Sequence, residues 1–229
     1  MKIAIMGAMI EEIEPLLNLL GEYKEHEFGK NIYYEGRYKD LDLVIAYSKI
    51  GKVFSALTAT TMIEKFGANK LIFSGVAGGI NPKLKIGDLI VANSLCQHDV
   101  DITAFGHPYG FIPESKVYIE SDKELLQKAK EVAKEIGKPL FDGVIATGDQ
   151  FIADSKKKEW ILKEFKADAI EMEGASVAVV CDSLNIPFLI IRAISDVADM
   201  DASFSFDEFL RSSANESAKF IFKLLERLS

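Results

Sequence analysis

P-F-L-I-I-R-A-I-S-D, residues 187–196, decides the fold. It is apolar at nearly every position, with no alternation of polar and apolar residues. A strand that shows one face to water alternates, whereas a strand covered on both faces does not. The segment therefore predicts a central strand with helices packed above and below. K-I-A-I-M-G (2–7), K-L-I-F-S-G (70–75), D-L-I-V-A-N-S-L (88–95), G-V-I-A-T-G (143–148) and Ala169–Glu171 read as further short strands. N-I-Y-Y-E-G-R-Y and L-D-L-V-I-A-Y-S read as a hairpin about Lys39-Asp40. Helical spacing runs between them. In residues 10–20, Ile10, Ile13, Leu16, Leu17 and Leu20 share one face. Residues 51–66, 122–136 closed by Gly137, 154–165 and 174–183 also read as helices. A last helix is expected over 205–228, with Ser205 as N-cap and Glu208 three residues on. No linker, repeat or low-complexity tract interrupts the chain. The expectation is one α/β domain over 1–229, a three-layer α/β/α sandwich around a central mixed, twisted sheet.

Composition narrows the function. The net charge of -8, with no basic run longer than Lys156-Lys157-Lys158, argues against nucleic acid, whose affinity comes largely from Lys and Arg. The two cysteines, Cys96 and Cys181, lie in separate apolar segments and read as buried, reduced thiols. No signal-peptide pattern opens the chain and no apolar run is long enough to span a bilayer. A cytoplasmic protein is expected. No His or Cys spacing suggests a metal site.

In an α/β sheet the chemistry gathers at the carboxyl ends of the strands. Those ends read G-A-M-I-E-E, G-V-A-G-G, D-Q-F-I, E-M-E-G and D-V-A-D. Acids recur at one rim. Glu171 and Glu173 are two apart, so extended geometry would point them one way and Met172 the other. Two readings stay open for Glu173: it accepts hydrogen bonds from the hydroxyls of a polyol such as ribose, or it merely starts the next helix, where negative charge suits the dipole. By position alone, Glu12 reads as a first-turn helix acid, Asp196 as an N-cap after a strand and Arg192 as a structural ion-pair partner.

E-M-E-G-A-S-V-A, R-A-I-S-D-V-A-D, S-F-D-E-F-L, G-D-Q-F-I and D-V-D-I-T-A-F-G, taken together and in order, resemble the 5'-methylthioadenosine/S-adenosylhomocysteine nucleosidases. This is the hydrolytic branch of the purine nucleoside phosphorylase superfamily. The resemblance implies a nucleoside phosphorylase-like fold, cleavage of the N-glycosidic bond of 5'-substituted adenosines by water, and no cofactor. It implies roles in methionine salvage and in supplying an autoinducer-2 precursor. It assigns Asp196 as the acid that protonates purine N7 and Glu12 as the base for the water, with Arg192 near the water or orienting Glu12. Glu173 would hold ribose hydroxyls and Met172 would pack beside the sugar. Ile152 would bond adenine through its backbone. Phe105, Phe151 and Phe206 would stack on the base or line the sugar and 5' pocket, with Ile50 and Ile102 adding apolar surface. Glu171, Ala77, Gly78 and Ser195 complete the implied substrate contacts. His107, Tyr109 and Pro113 match a loop that reaches the neighbouring subunit's site, which implies a homodimer. His98 and Trp160 read as structural.

One departure is Val76, where many of these nucleosidases have a serine. That pattern resembles the epsilon-proteobacterial members, which also hydrolyse 6-amino-6-deoxyfutalosine in a menaquinone pathway. A phosphorylase needs positive charge for phosphate, and the loops after the first and the 70–75 strands contain no arginine. A non-catalytic nucleoside-binding protein would have lost Glu12 or Asp196. A dinucleotide site would need G-x-G-x-x-G after the first strand, which is absent.

Overall fold

The computed structural model describes residues 1–197 and 202–229, except the side chains of 202–208. Its elements run β1 (Lys2–Gly7), α1 (Ile10–Leu20), β2 (Tyr23–Phe28), β3 (Asn31–Tyr38), β4 (Leu41–Tyr47), α2 (Lys52–Glu64), β5 (Lys70–Gly79) and β6 (Leu89–Gln97). A single 3-10 turn, Thr103–Phe105, precedes β7 (Ile119–Glu120) and α3 (Lys123–Glu135). Then come β8 (Leu140–Thr147), α4 (Ser155–Phe165), β9 (Ala169–Glu171), α5 (Gly174–Leu184), β10 (Phe188–Val197) and α6 (Ala202–Leu228).

β10 is covered on both faces, as its unbroken apolarity requires. Phe188, Ile190 and Ile194 join one core with Ala59, Met62 and Ile63 of α2 and Val177, Ala178 and Cys181 of α5. Leu189, Ile191 and Ala193 join a second core with Ile13, Leu16 and Leu17 of α1, Val132 of α3, and Ile221, Leu224 and Leu225 of α6. Each fully buried Leu or Ile contributes roughly 1.5–3 kcal/mol. Ile161 and Phe165 of α4 close a third, smaller cluster over Cys96, Ala146 and Ile170. Both cysteines are free, and burial pushes each thiol up to about 12.

The sheet is mixed, in the order β10-β6-β8-β9-β5-β1-β4-β3-β2, and β10 also pairs with β5. Strands β5, β9, β8, β6 and β10 thus close into a ring, and β1, β4, β3 and β2 extend from β5 as an open wing. Helices flank the mixed sheet on both sides as expected, but half of the sheet curls into a small barrel. The closing contact is parallel along β5 and antiparallel along β6.

Some details differ from the sequence reading. β2, with sequence Y-K-E-H-E-F, pairs antiparallel with β3 and was not anticipated. Five of its six side chains are exposed, so it lacks the apolar alternation that betrays a half-buried strand. Helix α6 starts at Ala202, so Ser205 lies inside the helix and is not its N-cap. A Ser followed three residues later by Glu shares a helix face as readily as it frames a helix start. Ile10 is 43% exposed, so the buried face of α1 is Glu12, Ile13, Leu16 and Leu17.

Candidate active site

A cavity of about 400 Å3 opens where the carboxyl ends of β1, β5, β9 and β10 meet. Ala8, Met9 and Glu12 reach it from β1 and the start of α1, and Val76, Ala77 and Gly78 from β5. Ile170, Glu171, Met172 and Glu173 come from β9 and the bend after it, and Ser195 and Asp196 from β10. Ile50 and the loop Gln150–Ile152 complete the wall.

Glu12 is the third residue of α1 and is only 3% exposed. Its Oε2 accepts from the N–H groups of Ala8 (2.5 Å) and Met9 (3.2 Å), and its Oε1 from Val76 N–H (3.0 Å). Glu12 therefore accepts from the N-cap amide of its own helix, as a first-turn acid does, and also faces the cavity. Burial raises its pKa, which the Arg192 charge and the three amide donors oppose. The result is a carboxylate more basic than usual and held in one place. Two glycines make the room. A Cβ at Gly75 would come within 2.7 Å of Glu12 Oε1, and one at Gly7 within 3.0 Å of Glu12 Cβ. Gly75→Ala is expected to displace the carboxylate and lower kcat by about 10²-fold, with the fold retained by circular dichroism.

The two glutamates after β9 divide the work. Glu171 caps α5: its carboxylate accepts from Gly174 N–H (2.7 Å to Oε2) and Glu173 N–H (3.2 Å). It also accepts from the Thr147 hydroxyl and from Arg192 Nη2 at 2.6 Å. Glu173 occupies the N-cap position but makes no side-chain cap. Its Oε1 accepts from Gly51 N–H at 2.8 Å. Burial and the neighbouring Glu171 carboxylate raise its pKa. The helix-start reading thus belongs to Glu171, and Glu173 is left facing the cavity. Met172 lines the cavity beside both, because β9 ends at Glu171 and strict alternation ends with it.

Asp196 lies at the end of β10, 4% exposed. The β5–β10 register shifts between Ile194 and Asp196, a bulge at Ser195 that re-aims the following side chain. Ser195 Oγ donates to Asp196 Oδ1 at 3.2 Å, and Lys158 Nζ lies 3.6 Å from Oδ2. A Cβ at Gly78 would come within 3.0 Å of Oδ2, so glycine is needed for close approach here too. Burial raises the Asp196 pKa, against Lys158 and the Ser195 hydroxyl. Asp196 sits within a strand, which rules out the N-cap reading for it.

Residues 2–228 match the sequence profile described as the phosphorylase superfamily. The chain is 57% identical to the aminodeoxyfutalosine nucleosidase of Campylobacter jejuni over 228 residues, covering 100% of both chains. It is 40% identical over 230 residues to a 5'-methylthioadenosine/S-adenosylhomocysteine nucleosidase of an Exiguobacterium species, covering 100% of this chain and 99% of the other. The chain belongs to the nucleosidases of the phosphorylase superfamily. Its fold superposes with a TM-score of 0.97, at 51% identity, on a mutant Helicobacter pylori nucleosidase with 5'-methylthioadenosine in the active site, covering 99% of this chain and 98% of that one.

In this nucleosidase the cavity gathers Glu12, Asp196, Glu171, Met172, Glu173, Ala77, Gly78, Ile50, Phe151, Ile152 and Ser195 from the sequence reading. Arg192 does not line it. The guanidinium is 1% exposed, bonded to Glu171 and stacked 4.1 Å over the Phe73 ring, so it reaches the site through its charge and through Glu171. Ile102 and Phe105 stand away from the cavity on the 3-10 turn, with Phe105 81% exposed. His107 and Pro113 are exposed on the same long segment, His107 stacked on Phe111, and Tyr109 packs edge-on against Trp160. The Phe206 side chain lies outside the described residues. His98 is buried, and burial lowers its pKa. The sequence reading missed Ala8, Met9, Gln150, Ile170 and Lys158. Met9 and Gln150 adjoin the acids of G-A-M-I-E-E and G-D-Q-F-I and were available as neighbours. A lysine in a run of three carries no signal of burial.

Proposed function

We propose that this nucleosidase hydrolyses the N-glycosidic bond of 5'-substituted adenosines, releasing adenine and the 5-substituted ribose. The substrates are 5'-methylthioadenosine, S-adenosylhomocysteine, 5'-deoxyadenosine and 6-amino-6-deoxyfutalosine. One observation carries the reading. Glu12 bonds Val76 N–H and Asp196 abuts Gly78, so two buried carboxyls flank the end of β5 in one cavity. Two residues of strand span roughly 7 Å. That leaves room for a sugar carbon and a water between acid and base, as in inverting glycoside hydrolysis.

Asp196, protonated, gives its proton to purine N7 as the C1'–N9 electron pair withdraws into the base. The sugar becomes oxocarbenium-like. Glu12 takes a proton from the water as its oxygen bonds C1'. Glu173, with its raised pKa, can donate to as well as accept from the ribose hydroxyls. Arg192 and Glu171 hold the start of α5, and so the Glu173 backbone, in place.

Water is favoured over phosphate by charge. Among the described residues lining the cavity, four are acids (Glu12, Glu171, Glu173 and Asp196) and none is Lys or Arg. A phosphate there would be repelled and left without donors. The apolar side chains of Met9, Ile50, Val76, Phe151 and Met172 suit an apolar 5' substituent. The homodimer belongs to the same reading: Phe105 on the 3-10 turn and Val53 and Leu57 of α2 (75% and 53% exposed) are exposed apolar side chains available to a second copy. A cytoplasmic location fits a chain in which no described helix is long and apolar enough to cross a membrane.

The test is adenine release from 5'-methylthioadenosine, with and without phosphate, and the sugar identified by mass. The expected product is free 5-methylthioribose at equal rates in both buffers. A phosphate-dependent rate with a sugar 1-phosphate product would overturn the hydrolytic reading.

A further inference from the structure

Lys158 does not behave like its neighbours. Lys156 is exposed, and Lys157 lies over the Trp160 ring at 3.8 Å. Lys158 is 2% exposed and shares the inner face of α4 with Ile161 and Phe165. Helical spacing marks that face as apolar, and a buried ammonium is among the most unfavourable groups a fold can carry unless an opposite charge meets it. Among the described residues its Nζ has no hydrogen-bond partner within normal distance, and it lies 3.6 Å from Asp196 Oδ2. The fold has threaded a cation through a hydrophobic layer to the back of one carboxyl in the cavity.

We propose that Lys158 is a positioning residue for the acid, an ammonium that stabilises the Asp196 carboxylate as it forms during proton transfer to the leaving base. The proposal rests on the assignment of Asp196 as that acid. Its logic is differential. Before reaction Asp196 is neutral and the ammonium gains little from it. When the proton has moved to the purine, a carboxylate faces an ammonium across 3.6 Å of water-poor interior. The pair is strongest late in the reaction, which is where an interaction accelerates chemistry.

Among the described residues, the groups facing Asp196 are few. Its own strand supplies the Ser195 hydroxyl, β5 supplies only the backbone around Ala77 and Gly78, and α4 supplies Lys158. Across the cavity stand Glu12, Glu171 and Glu173, with Arg192 bonded to Glu171. Of these, Lys158 is the cation in direct reach of the Asp196 carboxyl among the described residues.

The sign follows. An ammonium beside a carboxyl lowers its pKa, so removing it raises the pKa. Activity that needs protonated Asp196 declines as pH rises through that pKa. Without Lys158 the alkaline limb moves to higher pH, while the plateau below it drops because the acid has become weaker.

The experiment compares pH profiles of kcat/KM and kcat for adenine release from 5'-methylthioadenosine in wild type, Lys158→Met, Lys158→Arg and Asp196→Asn. Methionine matches the length of lysine and suits the face it lines. The expected result for Lys158→Met is a plateau kcat about tenfold lower and an alkaline limb shifted up by about one unit or more, with Lys158→Arg restoring most of both. An unmoved limb, whatever the kcat, would reduce Lys158 to packing and overturn the proposal. Loss of turnover to the level of Asp196→Asn would also overturn it, since Lys158 would then be the proton donor itself. If the methionine variant does not fold, Lys158→Gln is judged by the same limb. Near-normal turnover in Asp196→Asn would instead remove the acid assignment on which the proposal stands.

Discussion

Asp196→Asn lowers kcat for adenine release by about 10²–10⁴-fold, with KM within a small factor of wild type. Asparagine keeps the shape and can still donate a hydrogen bond toward a purine nitrogen. It cannot hand over a proton, so binding survives and the bond-breaking step does not. Burial raises the Asp196 pKa, so the protonated form persists to higher pH than for an ordinary aspartate. The alkaline decline of kcat/KM in the wild type accordingly lies at higher pH than an ordinary aspartate would give and vanishes in the variant. Circular dichroism and a melting curve establish that the variant is folded. Turnover near the wild-type rate would mean that another group protonates the base.

Glu12→Gln removes the water's base and is expected to lower kcat by a similar 10²–10⁴-fold. The pH signature is opposite. Glu12 must be ionised to accept a proton, so kcat/KM falls as pH drops through its pKa. Burial has moved that pKa up, which places the acid limb above an ordinary glutamate's. Glutamine has a second consequence. Both carboxylate oxygens of Glu12 accept from backbone N–H groups of Ala8, Met9 and Val76. A glutamine NH2 in place of either oxygen sets donor against donor. Leaving a buried donor unsatisfied costs about 1–3 kcal/mol, so Tm falls as well. Unchanged activity at neutral pH would show that the water needs no base at this position.

The architecture was legible where one residue's environment repeats along an element. The unbroken apolarity of 187–196 announces a doubly covered strand, and β10 is one. Asp122 announces the start of α3, and its side chain accepts from Leu125 N–H. Acids at strand ends pointed to Glu12, Glu173 and Asp196, which share one cavity. Features set by distant partners were not legible. Nothing local tells β10 to bond β5 on one side and β6 on the other. The Ser195 bulge appears only in the register against β5. The division of roles between Glu171 and Glu173 depends on Thr147 and Arg192, residues remote in the chain. Charge density marks Lys158 as surface, and only the packing of α4 buries it.

The ring of strands also sets an order of assembly. Its closing member, β10, is the last strand, and it pairs with residues 71–79 of β5, more than a hundred positions earlier. Pairings of such long sequence separation form late, because the entropy of closing the loop must be met before the contacts reward it. Glu12 and its amide donors come from β1, the start of α1 and β5, the first third of the chain. The acid arrives only with β10, and the helix that covers β10, α6, is made after that. During synthesis the chain therefore carries every residue of the water-activating half well before the acid is made, while the β5 edge that β10 will pair is still open. Activity should switch on in one step when β10 docks, with no partly active intermediate before it.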